Sequence, residues 1–169
     1  GSGYCVQKAV LLTAVARAAG IPSRLGFADV RNHLQSERLR ALMGTDLFVW
    51  HGYSTLFVGG RWLKASPAFN AELCARFGVP PLEFGGVHDA LLHAFAGDGS
   101  RYMEYVREHG AFTDLPLARI LSAYREAYPA MSDPAVSKLS REERAKKQTE
   151  ALNAATKDLD VSKADADDL

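Results

Sequence analysis

A long β-hairpin pattern occupies the middle of the chain and leaves few folds open to it. Residues 47–58 are rich in β-branched and aromatic side chains, which favour strands. Gly59 and Gly60 follow, and residues 61–65 form a second strand-like run. Two glycines between two such runs are typical of a tight turn, because both positions can take a positive φ angle. The pattern predicts an antiparallel sheet.

A helix is predicted before this hairpin, over residues 5–19. Apolar or small side chains recur there at positions 5, 9, 12, 16 and 19, with the period of a helix that buries one face. Gly20 and Pro22 come next, and glycine followed by proline is a strong signal for a helix end. The helix and the hairpin together predict an α+β fold, in which the helix packs on the antiparallel sheet.

Shorter elements are predicted along the rest of the chain. They are a strand over 24–30, helices over 35–43, 71–77 and 117–128, and a strand pair over 90–95 and 102–106. The polar residues Asp29, Arg31, Asn32 and His33 are interpreted either as lining a cleft or, more simply, as a solvated loop.

The last part of the chain differs in composition from the rest. From Lys138 to Leu169, 15 of 32 residues are charged and none is aromatic. Such a segment buries too little apolar surface to offset the entropy that it loses on ordering. We therefore predict one domain over residues 3–134, with helices in its C-terminal part, and a charged tail, helical or disordered, over residues 135–169.

The charge balance gives no reason to expect a polyanionic partner. The chain has 20 basic and 20 acidic side chains and no net charge, whereas nucleic-acid-binding proteins usually carry a basic patch. No apolar run is long enough to span a bilayer. The histidines show no compact metal-ligand spacing. We therefore expect no nucleic-acid or membrane partner, no metal and no cofactor.

Two cysteines, Cys5 and Cys74, are too few for a disulfide framework and too far apart for a CxxC pair. We expect two free thiols in a reducing compartment, and hence a cytoplasmic location. Cys74 lies among apolar residues and is interpreted as part of the core. Cys5 opens the first helix, where backbone N–H groups and the helix dipole stabilise a thiolate. It is either a nucleophile or a small apolar residue at a helix start.

His51 is the candidate base for such a nucleophile. It lies on the predicted strand, directly after Trp50. An imidazole held beside a helix N-terminus could take the proton of the thiol and pass it to a leaving group. A single histidine on a strand can equally have a structural role. Trp50 is a candidate binding residue beside it.

The residues around Cys5 and His51 resemble the transglutaminase-like superfamily, which has a papain-type Cys–His site. The resemblance covers roughly residues 3–70 and rests on GYCVQKA at 3–9, RAAGIPSR at 17–24, HGY at 51–53 and GRW at 60–62. It implies a bacterial-type cysteine protease, amidase or acyltransferase. Cys5 would be the nucleophile and His51 the base, acting on a peptide or protein amide through a thioester. Because the family has structure before the cysteine, it also implies a fragment.

The third catalytic residue departs from the family pattern. The family has an aspartate four positions after the strand tryptophan, followed by proline, but here Ser66 and Pro67 follow Trp62. Ser66 could hold the imidazole tautomer without supplying a charge. Asn70 could orient the imidazole instead, as an asparagine does in papain-type enzymes, or it could cap a helix. The alternative function is a non-catalytic peptide- or protein-binding module, which the serine favours.

Overall fold

A computed structural model describes residues 3–129. Its elements are α1 (Cys5–Ala18), β1 (Ser23–Asn32), α2 (Glu37–Met43), β2 (Leu47–Val58), β3 (Arg61–Ala65), α3 (Ala71–Arg76), β4 (Met103–Phe112) and α4 (Leu117–Ala127). The four strands form a sheet in the order β3-β2-β1-β4, and all neighbouring strands are antiparallel. The predicted α+β class with an antiparallel sheet is confirmed.

The described residues belong to two compact units. Residues 3–33 and 47–120 form the first unit, which contains the sheet, and residues 34–46 and 121–129 belong to the second. None of the helices within residues 3–129 is long and apolar enough to cross a membrane. The predicted tail over 135–169 lies outside the described residues, so the domain boundary stays a prediction.

The hairpin forms as its glycines predict. Gly59 and Gly60 have φ angles of 59° and 81°, and positive values at both central positions define the turn that matches the twist of two antiparallel strands. The ladder then runs from Val58 opposite Arg61 to Ser54 opposite Ala65. The strand that carries His51 is therefore fixed in register to the strand that leads to Ser66.

Helix α1 packs on β2 through small and polar side chains. Its buried residues are Val6, Ala9, Thr13 and Ala16. The Ser54 hydroxyl donates to the Ala9 carbonyl at 3.0 Å and lies 2.9 Å from the Thr13 hydroxyl. Small side chains let the helix backbone approach the strand closely. This contact holds the helix in one position along β2.

Two predictions for the rest of the sheet need correction. Residues 90–95 form no strand, although isolated bridges join Phe95 to Arg101 and Ala90 to Ala65. The backbone N–H groups of Tyr102 and Met103 donate to the carbonyls of Ala94 and His93, so the two predicted segments do contact each other. The second half of the predicted pair instead belongs to β4, which pairs with β1 over its length. Residues 29, 31 and 32 lie inside β1 and not in a solvated loop, and Asp29 is buried. Strand β1 therefore continues two residues beyond the predicted end at Val30, with the Arg31 side chain 40% exposed.

Candidate functional site

Cys5 is the first residue of α1, and the start of this helix lies directly against β2. The Tyr4 N–H donates to the Gln7 side chain at 3.2 Å, which closes the first turn. A Cβ atom on Gly52 would lie 2.8 Å from the Val6 Cα and 3.4 Å from the Cys5 carbonyl carbon. Only glycine permits so close an approach. The helix start therefore touches the residue that follows His51.

The half-buried Cys5 sulfur is surrounded by backbone donors. Burial raises the pKa of the Cys5 thiol above its ordinary value. Hydrogen bonds from the backbone N–H groups of Gly52, Val6 and Cys5 lower the same pKa, as does the charge of Lys8. These N–H groups are the donors that a thiolate or a tetrahedral oxyanion requires. Because burial dominates, the resting thiol is protonated at neutral pH.

His51 is buried and contacts Ser66. Its Nε2 atom lies 3.3 Å from the Ser66 Oγ. Burial lowers the pKa of His51 from 6.5 to about 4, because a charged imidazolium is costly away from water. The imidazole is therefore neutral at neutral pH. Ser66 carries no charge and therefore does not offset the lowering of the His51 pKa by burial.

Trp50, the predicted binding residue, and Asn70, predicted either to orient the imidazole or to cap a helix, contact residues other than His51. The Asn70 side chain accepts a hydrogen bond from the Leu73 N–H at 2.9 Å and caps α3. Trp50 stacks on His109, with ring centroids 4.3 Å apart and planes 9° from parallel. The structure thus places Ser66 against His51 and uses the Asn70 side chain as a helix cap.

Tyr105 belongs to the same group of side chains, although no local sequence pattern predicts it there. Its ring lies edge-on to His51, at 6.2 Å between centroids and 83° between planes. Its hydroxyl hydrogen-bonds with Ser66 and accepts from the Leu92 N–H at 3.4 Å. Burial raises the pKa of Tyr105 to about 12, so the hydroxyl stays neutral. No local motif marks Tyr105, because only the pairing of β4 with β1 brings it here.

An open cleft of about 460 Å³ adjoins this group. Its walls are mainly apolar and include Leu92, Phe95, Met103 and Tyr105. Tyr105 thus contacts His51 and also lines the cleft. In the part of the chain that the structure describes, no group of three or more histidine, cysteine or acidic residues could hold a metal ion.

Comparison with protein families matches residues 1–67 to the model described as the transglutaminase-like superfamily. The resemblance inferred from the sequence is confirmed for this part, which is about two-fifths of the chain. The match includes Cys5, His51 and Ser66 and stops before α3, β4 and α4. No curated protein and no solved structure gives a significant match to the chain.

Proposed function

We propose that this chain cleaves a peptide or amide bond and forms a thioester between the acyl group and Cys5. The acyl group then passes to water or to an amine. The observation that carries the proposal is the contact between the first turn of α1 and Gly52. This contact puts the Cys5 sulfur among the backbone N–H groups of Gly52, Val6 and Cys5. Gly52 directly follows His51 in β2. A nucleophile, a base and oxyanion donors are the parts that acyl transfer requires.

In the proposed reaction, the Cys5 thiol gives its proton to His51 and the sulfur attacks the amide carbonyl carbon. The C–N bond then breaks, the amine leaves with the proton from His51, and a thioester remains. Water or a second amine attacks the thioester and releases Cys5, again with proton transfer through His51. The N–H groups of Gly52 and Val6 stabilise the negative charge that develops on the carbonyl oxygen of the substrate in the tetrahedral intermediate.

The neighbouring side chains hold the base and the substrate. Ser66 lies at the Nε2 atom of His51 and hydrogen-bonds with Tyr105, which leaves Nδ1 of His51 for the thiol. The apolar cleft beside Tyr105 takes an apolar part of the substrate. Hydrolysis is preferred to transfer onto an amine by analogy with the family. Both cysteines are free, which suits a reducing, cytoplasmic setting.

A second candidate function is a non-catalytic module that binds a peptide or a protein. The charge state of the site favours it, since the raised pKa of Cys5 and the lowered pKa of His51 both oppose formation of a thiolate–imidazolium pair. In such a module the Cys5 thiol would react independently of His51. The two candidates therefore differ in one measurable property.

The test is alkylation of the protein by iodoacetamide near neutral pH, followed by mass spectrometry. Cys5 should react faster than the fully buried Cys74, but exposure alone would give this selectivity. The decisive result is that His51→Ala slows Cys5 alkylation by at least about 10-fold, because general-base catalysis typically contributes more than that. An equal rate in the parent and in His51→Ala would favour the binding module.

A further inference from the structure

We propose that Asp29, His109 and Trp50 form a clamp that positions His51 and the Gly52 N–H for the proposed reaction. This inference rests on the proposed function and adds three positioning residues to it. We call the three residues the Asp29 clamp. They come from three adjacent strands, β1, β4 and β2 respectively.

Asp29 lies where the pairing of β1 is irregular on both sides. On β2, Val49 and Trp50 together face the single residue Asp29. On β4, His109 is an extra residue between the partners of two consecutive β1 residues. Each irregularity is a β-bulge, which bends its strand and changes the direction of nearby side chains. Trp50 and His109 therefore lie at bulges on either side of Asp29.

The bulge on β2 forces an uncommon backbone conformation. Trp50 has a φ angle of 53° and is the sole non-glycine residue with positive φ among residues 3–129. A bulky side chain disfavours this region, so the surrounding contacts must offset its cost. The residue that follows is His51. A strained backbone thus directly precedes the candidate base.

One oxygen of the Asp29 carboxylate forms hydrogen bonds with a residue of each bulge. The Asp29 Oδ1 accepts a hydrogen bond from the Trp50 N–H at 2.9 Å and lies 2.6 Å from the His109 Nε2, which donates to it. The side chains of Asp29 and His109 are each only 11% exposed. The Trp50 indole also stacks on the His109 ring. Charge-assisted hydrogen bonds away from water are strong enough to hold such a conformation.

The Asp29 clamp therefore controls the direction of His51 and Gly52, which follow Trp50 in β2. Rotation of the backbone at Trp50 would turn the His51 ring and the Gly52 N–H, which faces the Cys5 sulfur. A slip of one residue would exchange the two faces of the strand. By fixing Trp50, Asp29 keeps the imidazole against Ser66 and the Gly52 N–H aimed at the Cys5 sulfur.

The test compares Asp29→Ala, Asp29→Asn and His109→Phe with the parent, after circular dichroism has shown which variants fold. Asp29→Ala should lower the rate of Cys5 alkylation by about 10- to 100-fold, since a misplacement of about 1 Å can cost about 100-fold. His109→Phe should also lower it. Asp29→Asn keeps the acceptor oxygen and should restore part of the rate. In NMR spectra, the ring signals of His51 should shift in Asp29→Ala and His109→Phe.

The matched control is His33→Ala. It removes another histidine–carboxylate contact to β4, in which the His33 Nε2 lies 2.9 Å from Glu104, and it should leave the Cys5 rate and the His51 signals unchanged. Parental rates and signals in folded Asp29→Ala would overturn the clamp. If that variant does not fold, parental values in Asp29→Asn together with His109→Phe would overturn it.

The two proposals fail in different ways. A parent whose Cys5 rate does not depend on His51 contradicts the proposed function, and the His51 ring signals then still decide whether the clamp positions the ring. If the Cys5 alkylation rate of the parent depends on His51 and the clamp variants have the rates and His51 signals of the parent, only the clamp is contradicted.

Discussion

Ser66 stands where the family resemblance places a carboxylate, and its hydroxyl lies 3.3 Å from the His51 Nε2. A carboxylate at this position would stabilise an imidazolium, whereas a hydroxyl hydrogen-bonds without adding charge. The neutral resting state of the site follows from this one substitution together with burial of both reacting groups.

Ser66→Asp should make the thiolate form at lower pH. The new anion raises the pKa of His51, so the imidazolium can pair with the Cys5 thiolate. An opposite charge at this distance typically shifts a pKa by about 1 to 3 units, and we expect the midpoint of Cys5 alkylation against pH to fall by about 1 unit. Ser66→Asn has nearly the shape of the aspartate without its charge and is the control. If Ser66→Asp changes nothing while Asn70→Ala abolishes labelling, Asn70 orients the imidazole instead.

At the scale of elements, the contact between α1 and β2 at Gly52 determines where the nucleophile lies. The helix has no freedom to approach further, because its backbone already occupies the space of a Gly52 side chain. Ser54, two residues along the same face of β2, bonds the Ala9 carbonyl and limits sliding of the helix.

Gly52→Ala should separate these two elements. The added methyl meets the backbone of Val6, so the start of α1 must shift. We expect the free energy of unfolding in urea to fall by about 1–3 kcal/mol, as for other overpacking substitutions. Alkylation of Cys5 should lose its dependence on His51. Gly85→Ala is the matched control, because a Cβ atom there meets nothing within 4 Å and its φ angle is ordinary. Equal stability of the two variants would contradict the close packing.

For the molecule as a whole, the buried His51 links folding stability to pH. Between pH 6.5 and about 4 the unfolded chain binds a proton at this histidine, while the native state does not. The free energy of unfolding therefore falls as the pH drops through this window, by about 3 kcal/mol in total. Urea titrations at several pH values should show this fall in the parent, beyond the fall in His51→Gln. His88→Gln, which alters an exposed histidine, should keep the slope of the parent.

Many elements of the fold followed from local patterns in the sequence. The first helix, the long strand and its glycine turn have signals within a few residues, and the structure has them at nearly the predicted bounds. The family resemblance rests on similarly short motifs and is confirmed for residues 1–67. Of the two alternatives that the sequence left open, Ser66 lies against His51 and the Asn70 side chain caps α3. The catalytic role of Ser66 stays a prediction.

The remaining features of the fold and of the site depend on which distant strands pair, and only the tertiary structure determines this pairing. Local periodicity cannot say that β4 lies beside β1, and for that reason the sequence did not predict that residues 103–106 belong to the main sheet. Only this pairing brings Tyr105 to His51 and His109 to Asp29. Burial is likewise a property of the packed molecule. The sequence therefore determined which groups could react, while packing determined their charge state and direction.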